Sequence, residues 1–279
     1  MQKIIITLFA VIAVALTGAC GVSPENKEND TSVMENIDSG TEEKTDFYSI
    51  SNKGSGWGFK KNIGAKPDIP GEITEMMKKY DACYMDLREN KTLYLTFDEG
   101  YENGYTGQIL DVLKKYEVPA AFFITGSYFD REQELIRRML DEGHIVGNHT
   151  EHHPNLHKLE NPEKMQEELK ILDDKYESVF GERMKYMRPP EGEYSPRVLA
   201  AAQAAGYKTV FWSFAYKDWQ RDVNMGAKHA YDSVTPYLHS GAIILLHAVS
   251  KDNAEALGDI ILYAREQGYE FKSLDDLQW

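Results

Sequence analysis

The chain has 279 residues, of which 42% are hydrophobic and 11% aromatic, so it can bury a sizeable core. This length exceeds the usual size of one domain, but a closed α/β barrel of such length commonly folds as a single unit. The formal net charge of -14 argues against nucleic acid and anionic membrane surfaces as the main partner, because both attract basic patches. A neutral or carbohydrate substrate remains open.

The first 20 residues are typical of an export signal. Lys3 precedes an apolar run at residues 4–16, which is too short to span a bilayer comfortably and is followed by small residues. Residues 16–21 (LTGACG) resemble the end of a bacterial lipoprotein signal, which implies a lipid on Cys20. We therefore expect an exported protein, lipid-anchored at the outer face of the cytoplasmic membrane or cell wall. Cleavage without lipid and an uncleaved anchor are the alternatives.

Two segments separate this signal from the main domain. Residues 21–56 are polar and mostly acidic, and we predict a disordered linker there. Residues 57–90 are predicted to form an N-terminal helical extension that packs on the outside of a barrel. Its helix, at residues 72–80, has Ile73, Met76 and Met77 spaced for one buried face. With Cys20 lipidated only Cys83 is left, so no intramolecular disulfide is expected.

Strand and helix patterns alternate from residue 91 to the end of the chain. Strands are predicted at residues 92–97, 118–125, 145–148, 184–187, 208–214, 242–246 and 270–272. Helices are predicted at residues 104–116, 131–142, from 162 onwards, 196–205, 226–238 and 253–267. This alternation predicts parallel strands with crossover helices. A closed or nearly closed α/β barrel is favoured over an open sheet, because no Gly-x-Gly-x-x-Gly follows the first strand.

The segment at residues 147–154 (GNHTEHHP) concentrates possible metal ligands at the end of a predicted strand. His149 and His153 are four residues apart and could point to one site if the chain turns helically after His149. Imidazole suits zinc, cobalt, nickel and iron-type ions. A histidine-rich surface loop is the alternative.

Other polar residues also follow predicted strands: Asp98, Glu99, Arg188, Asp218 and His247. The catalytic residues of α/β barrels lie where strands end, so these side chains are expected to meet at one rim. Taken singly, they would be interpreted as a turn, a surface ion pair, a loop and a core histidine. Taken together, they predict a metal-assisted hydrolase.

Five segments, in this order, resemble the motifs of the NodB-homology polysaccharide deacetylases, carbohydrate esterase family 4. They are residues 96–100 (TFDEG), 149–154 (HTEHHP), 188–190 (RPP), 218–219 (DW) and 245–247 (LLH). Residues 57–62 (WGFKKN), 100–107 (GYENGYTG) and 245–257 (LLHAVSKDNAEAL) are similar to one branch, the deacetylases of N-acetylmuramic acid that lead to muramic δ-lactam. The resemblance implies a distorted (β/α)7-type barrel, the catalytic domain, over residues 91–279.

The resemblance also implies roles for individual residues. Asp98 matches the general base, Arg188 the residue that orients it, His247 the general acid, and Asp218 the partner of His247. Two further residues, His149 and His153, match the ligands of a divalent transition metal such as zinc, cobalt or manganese.

Three further positions belong to the expected site. Glu99 stands where most of the family has a metal-binding aspartate and the muramic-acid branch has asparagine, so its binding of metal is left open. The backbone N–H near Glu191 is expected to stabilise the oxyanion of the tetrahedral intermediate. Tyr101 and Trp219 are candidates for contact with a sugar.

The expected reaction is hydrolysis of the N-acetyl group of N-acetylmuramic acid in peptidoglycan, leading to the δ-lactam of spore cortex. Its substrate would be a glycan strand whose peptide stem an amidase has removed. One alternative is a deacetylase of N-acetylglucosamine in peptidoglycan or a chitin-like polymer. Another is a catalytically dead surface glycan-binding lipoprotein, which the change at Glu99 motivates.

Overall fold

A computed structural model describes residues 45–159 and 161–278. The predicted signal segment, the lipidation site Cys20 and most of the predicted linker lie outside the described residues. Within the described ranges, no helix has both the length and the apolar character needed to cross a membrane.

Eight helices and eleven strands alternate along this part of the chain. The helices are α1 (Gly71–Lys79), α2 (Thr106–Lys115), α3 (Gly126–Arg131), α4 (Gln133–Asp141), α5 (Pro162–Phe180), α6 (Pro196–Ala204), α7 (Ala227–Val234) and α8 (Lys251–Glu266). The strands are β1 (Ser55–Gly56), β2 (Ala82–Cys83), β3 (Thr92–Glu99), β4 (Ala120–Ile124), β5 (Ile145–Asn148), β6 (Tyr186–Met187), β7 (Glu193–Tyr194), β8 (Lys208–Val210), β9 (Phe214–Ala215), β10 (Ala242–His247) and β11 (Glu270–Phe271).

The main sheet has the strand order β2-β8-β6-β5-β4-β3-β10-β9, with β11 also paired to β3. Its strand pairs are parallel, as the alternation of strands and helices predicted. All eight residues of β3 are buried, because helices cover one face of the sheet and the curled interior lies on the other. The α/β barrel-type fold predicted from the sequence is confirmed.

One predicted strand, residues 208–214, is wrong as a single element. Its first part, β8, pairs with β2 and β6, whereas its last part, β9, pairs with β10 at the other end of the strand order. In between, the Phe211 N–H donates to the Cys83 carbonyl (2.7 Å) and the Ser213 N–H to the Ile243 carbonyl (3.0 Å). Residues 211–213 thus carry the chain from one edge of the curled sheet to the other. A run of strand-forming residues does not reveal a change of pairing partner.

The N-terminal segments also differ from the prediction. Phe47–Ser49 form a 3-10 helix, and β1 pairs antiparallel with β7, so the linker predicted to reach residue 56 is wrong at its carboxyl end. Backbone hydrogen bonds and the Arg197 side chain, which donates to the Ile50 carbonyl (3.1 Å), hold this segment. Such contacts leave no hydrophobic pattern in the sequence. The predicted extension at residues 57–90 supplies β2 to the sheet and is therefore partly a component of the barrel.

Candidate active site

The strand ends bring the predicted polar residues to one rim of the sheet. Asp98 near the end of β3 and His247 at the end of β10 are register partners of neighbouring parallel strands. His149 and Arg188 each follow the last residue of a strand, β5 and β6, which also pair with each other. Because parallel strands end at the same edge, side chains from separate segments meet there.

Asp98 and Arg188 form a buried ion pair inside the curled sheet. The Arg188 Nη1 donates to Asp98 Oδ1 (2.7 Å), its Nη2 to Thr96 Oγ1 (2.9 Å) and its Nε to the Val210 carbonyl (2.9 Å). The guanidinium lies 4.2 Å from the centroid of the Phe123 ring. A Cβ at Gly147 would lie 2.6 Å from that ring, so glycine in β5 makes room for the aromatic support.

The positive charge of Arg188 keeps Asp98 ionised. Burial would raise the pKa of the Asp98 carboxyl, but the positive charge and the hydrogen bond of Arg188, together with His247, hold that pKa below its ordinary value. A carboxylate that is ionised, buried and fixed by a guanidinium can accept a proton from a water molecule.

The two predicted metal ligands, His149 and His153, lie side by side, with ring centroids 4.8 Å apart. The chain does not turn helically after His149, which was the condition for the two rings to converge by spacing: Thr150 and His153 have left-handed backbones, with φ of 70° and 56°. Side-chain oxygens support this tight turn, because the Thr150 N–H donates to Asn148 Oδ1 (2.8 Å) and the His153 N–H to Thr150 Oγ1 (3.0 Å). The rings approach through a strained loop, which the spacing alone did not show.

The pair of imidazoles fits a transition-metal ion as two ligands. The Nδ1–H of His149 donates to the Arg188 carbonyl (2.8 Å), which leaves Nε2 with a free electron pair. Burial, with His153 and Arg188, lowers the pKa of His149 to about 4, so the ring is neutral at pH 7. Its Nε2 lies 3.5 Å from Asp98 Oδ2.

The predicted third ligand, Glu99, does not join them. Successive strand residues point to opposite faces, so Glu99 shares the helix-covered face with Leu95 and Phe97, whereas Asp98 faces the interior. Glu99 is 0% exposed, and neither of its carboxylate oxygens has a hydrogen-bond partner among the described residues. In the same part of the chain, no group of three or more His, Cys, Asp or Glu side chains is arranged to hold a metal.

The His247 side chain pairs with Asp218, the partner that the family resemblance implied. The ring Nδ1–H donates to Asp218 Oδ1 (2.7 Å) and the His247 backbone N–H to Asp218 Oδ2 (2.8 Å). Burial would lower the pKa of His247, but the Asp218 carboxylate outweighs it and the pKa is raised. The imidazole is therefore suited to carry a proton near neutral pH and to donate it from Nε2.

The remaining predicted contacts line the rim. Trp219 is 50% exposed, and its ring centroid lies 5.7 Å from that of His247. The Tyr101 hydroxyl donates to the Trp219 carbonyl (3.5 Å), and Arg221 lies over the Tyr101 ring. Glu191, with a φ of 57°, turns the chain shortly after Arg188; the oxyanion role of its backbone stays a prediction.

Two residues of the site received no role from the sequence. Thr96 accepts from Arg188 and donates to the Ile244 carbonyl (2.8 Å); its place two residues before Asp98 was a usable signal, because both side chains lie on one face of β3. Asn253 donates to Asp218 Oδ2 (2.6 Å) and lies in the segment similar to the muramic-acid branch.

Known proteins share this arrangement of elements. Residues 87–210 match the family model described as polysaccharide deacetylase. The chain is 46% identical to the peptidoglycan-N-acetylmuramic acid deacetylase PdaA of Bacillus subtilis, over 82% of this chain and 88% of that protein. The solved structure of B. subtilis PdaA, described as a family 4 carbohydrate esterase, has a TM-score of 0.79 and covers 82% of this chain and 98% of that chain. A peptidoglycan-N-acetylglucosamine deacetylase of Bacillus cereus is 35% identical over 67% of this chain and 88% of its own length.

Proposed function

Because the chain belongs to the NodB-homology polysaccharide deacetylases of carbohydrate esterase family 4, we propose that it hydrolyses the N-acetyl group of N-acetylmuramic acid in peptidoglycan. The observation that carries this proposal is the register pairing of Asp98 with His247, each with its own oppositely charged partner. Likeness to PdaA at 46% identity, against 35% for the B. cereus glucosamine enzyme, favours the muramic sugar.

The reaction divides between the two pairs. Asp98 takes a proton from water as the water oxygen attacks the acetyl carbonyl carbon, and Arg188 keeps the carboxylate aimed. The carbonyl oxygen becomes an oxyanion, which the backbone N–H near Glu191 stabilises. His247 then gives its Nε2 proton to the amide nitrogen as the C–N bond breaks. The products are acetate and an amine on the sugar. Each proton transfer contributes on the order of 10²–10⁴ in rate.

We infer a divalent transition metal (zinc, cobalt or manganese) as the cofactor, with His149 and His153 as its protein ligands. A bound ion would polarise the acetyl carbonyl and lower the pKa of water to about 7. Isothermal titration of the protein with zinc should show binding that His153→Ala abolishes, whereas Glu99→Gln should leave the affinity within about twofold because Glu99 lies on the other face of β3. Loss of binding in Glu99→Gln would overturn this ligand set.

The location and the substrate form are also proposals. The export signal and Cys20 support a lipid-anchored protein at the outer face of the cytoplasmic membrane or cell wall. A glycan strand freed of its peptide stem has a lactyl carboxyl beside the new amine, and such closeness favours δ-lactam formation through high effective molarity.

Mass spectrometry of stem-free peptidoglycan after incubation with the enzyme tests the proposal. Muramic residues should lose the acetyl group and then water. Loss of acetyl from glucosamine residues alone would instead establish the N-acetylglucosamine deacetylase. Glycan binding without acetate release, with added zinc, cobalt or manganese, would establish the catalytically dead binding protein.

A further inference from the structure

The Asp218–His247 pair rests against the side chain of Asn253. The Asn253 Nδ2 donates to Asp218 Oδ2 (2.6 Å) and to the His247 carbonyl (3.1 Å). Both members of the pair are therefore tied to one amide group. Asp218 in turn accepts three hydrogen bonds: from the His247 ring, from the His247 backbone and from Asn253.

The neighbours of Asn253 define which way its amide faces. Asp218 and the His247 carbonyl are both acceptors, so they require the NH2 side of the amide. The Tyr216 hydroxyl lies against the opposite atom and donates to Asn253 Oδ1. A flipped amide would set two acceptors against Oδ1 and lose both of those contacts, so a single orientation is stabilised.

Asn253 is anchored to a rigid element. It is 1% exposed and lies in the first turn of α8, where its backbone N–H donates to Oγ of the N-cap residue Ser250 (3.2 Å). The side chain thus extends from a buried helix start to the back of Asp218. A donor fixed in this way can hold the carboxylate in one orientation.

We infer that Asn253 is a positioning residue for the general acid: it holds Asp218 against His247, and Tyr216 holds Asn253. This inference rests on the proposed deacetylase function for its effect on rate. The segment after His247 is similar to the muramic-acid branch. Through Asn253, this segment contacts both Asp218 and the His247 backbone.

A neutral amide suits this task better than a cation would. The charged groups that surround His247 are Asp98, Arg188 and Asp218, and those that surround Tyr216 are Asp218 and Asp252. A positive group behind Asp218 would offset its charge and weaken its hold on the imidazole proton. An amide donates a hydrogen bond without neutralising the carboxylate, so Asp218 keeps its negative charge beside His247.

The test compares three variants of the full chain. Asn253→Leu removes the amide at similar volume, and Tyr216→Phe removes only its hydroxyl support. Asn103→Leu is the matched control, because the Asn103 amide donates to the carbonyl of Val249 (2.9 Å), between His247 and α8, and not to Asp218. In assays of acetate release, Asn253→Leu should lower kcat by about 10–100-fold and leave KM within about twofold, because a hydrogen bond to a charged group is lost. Tyr216→Phe should show a smaller loss and Asn103→Leu none.

A second measurement does not depend on activity. Nuclear magnetic resonance titration of the histidine rings should show a lower pKa for His247 in Asn253→Leu and, less so, in Tyr216→Phe. An unchanged His247 titration and kcat in both variants would overturn the inference, and Tyr216→Phe keeps the test open if Asn253→Leu does not fold. If the wild type releases no acetate while the titration shifts, the proposed function fails and the positioning role stands.

Discussion

Two carboxylates of the candidate site, Asp98 and Asp218, are held in opposite ways. Asp98 faces the buried guanidinium of Arg188, whereas Asp218 accepts from an imidazole, a backbone N–H and the neutral amide of Asn253. A cation lowers the pKa of the carboxyl beside it, and an anion raises the pKa of the imidazole beside it. In the proposed mechanism, the same type of side chain thus serves as the base in one place and supports the acid in the other.

Replacing the base should have the largest effect. In Asp98→Asn the group that accepts the proton is lost, so the rate of acetate release should fall by about 10²–10⁴. Asp232→Asn, a surface carboxylate of α7 paired with Lys228, is the control and should keep the wild-type rate. A rate in Asp98→Asn above about a tenth of the wild type would remove Asp98 from the base role.

Arg188→Met breaks the same pair from its other side. The buried Asp98 would lose its counter-charge, so we expect the free energy of unfolding to fall by about 3–5 kcal/mol, as measured by urea denaturation. The double variant Asp98→Asn with Arg188→Met should lose less, because neither charge is left alone. If Arg188→Met lowers the free energy of unfolding by less than about 1 kcal/mol, the buried charge of Asp98 does not depend on Arg188 for its stability.

Asp218→Asn tests the second pair through pH. In the wild type the raised pKa of His247 keeps the acid protonated to a pH above its ordinary value of 6.5. Without the carboxylate, burial lowers that pKa, so the alkaline limb of the kcat profile should move to lower pH and the maximal rate fall by about 10². An alkaline limb that stays in place would mean that another group supplies the proton.

The smallest effect is expected at the rim. Trp219→Ala removes an exposed ring beside His247 and should raise KM by about three- to tenfold with kcat unchanged, if the ring contacts the sugar equally before and during the reaction. Leu262→Ala, at an exposed apolar residue of α8, should change neither constant. A fall in kcat for Trp219→Ala would instead place the ring in the acid machinery.

Much of the fold and the site could be predicted from the sequence. Strand and helix periodicity located β3, β5 and β10, and the rule that strand ends converge then united Asp98, His149 and His247. Glu99 shows where a motif misleads: its position suggested a ligand, but side-chain alternation in β3 turns it toward the helices.

Other features depend on long-range contacts that no local pattern records. The split between β8 and β9 is set by the strands with which they pair. The partner of β9 is β10, which lies more than 25 residues further along the sequence. The turn at Thr150 and His153 is left-handed because Asn148 and Thr150 side chains bond to its backbone. The amide of Asn253 lies 35 residues from Asp218, so only the folded chain shows their contact.

The short ladder between β1 and β7 has a practical meaning for anyone expressing this domain. A recombinant version that starts at Trp57, where composition suggests the boundary, would lack β1. The backbone groups of β7, which follow the turn at Glu191, would then have no strand partner. An unpaired strand edge can pair with an edge of another molecule and so promote aggregation. Starting upstream of Phe47 preserves this natural cover, which should appear as a sharper monomer peak in size-exclusion chromatography.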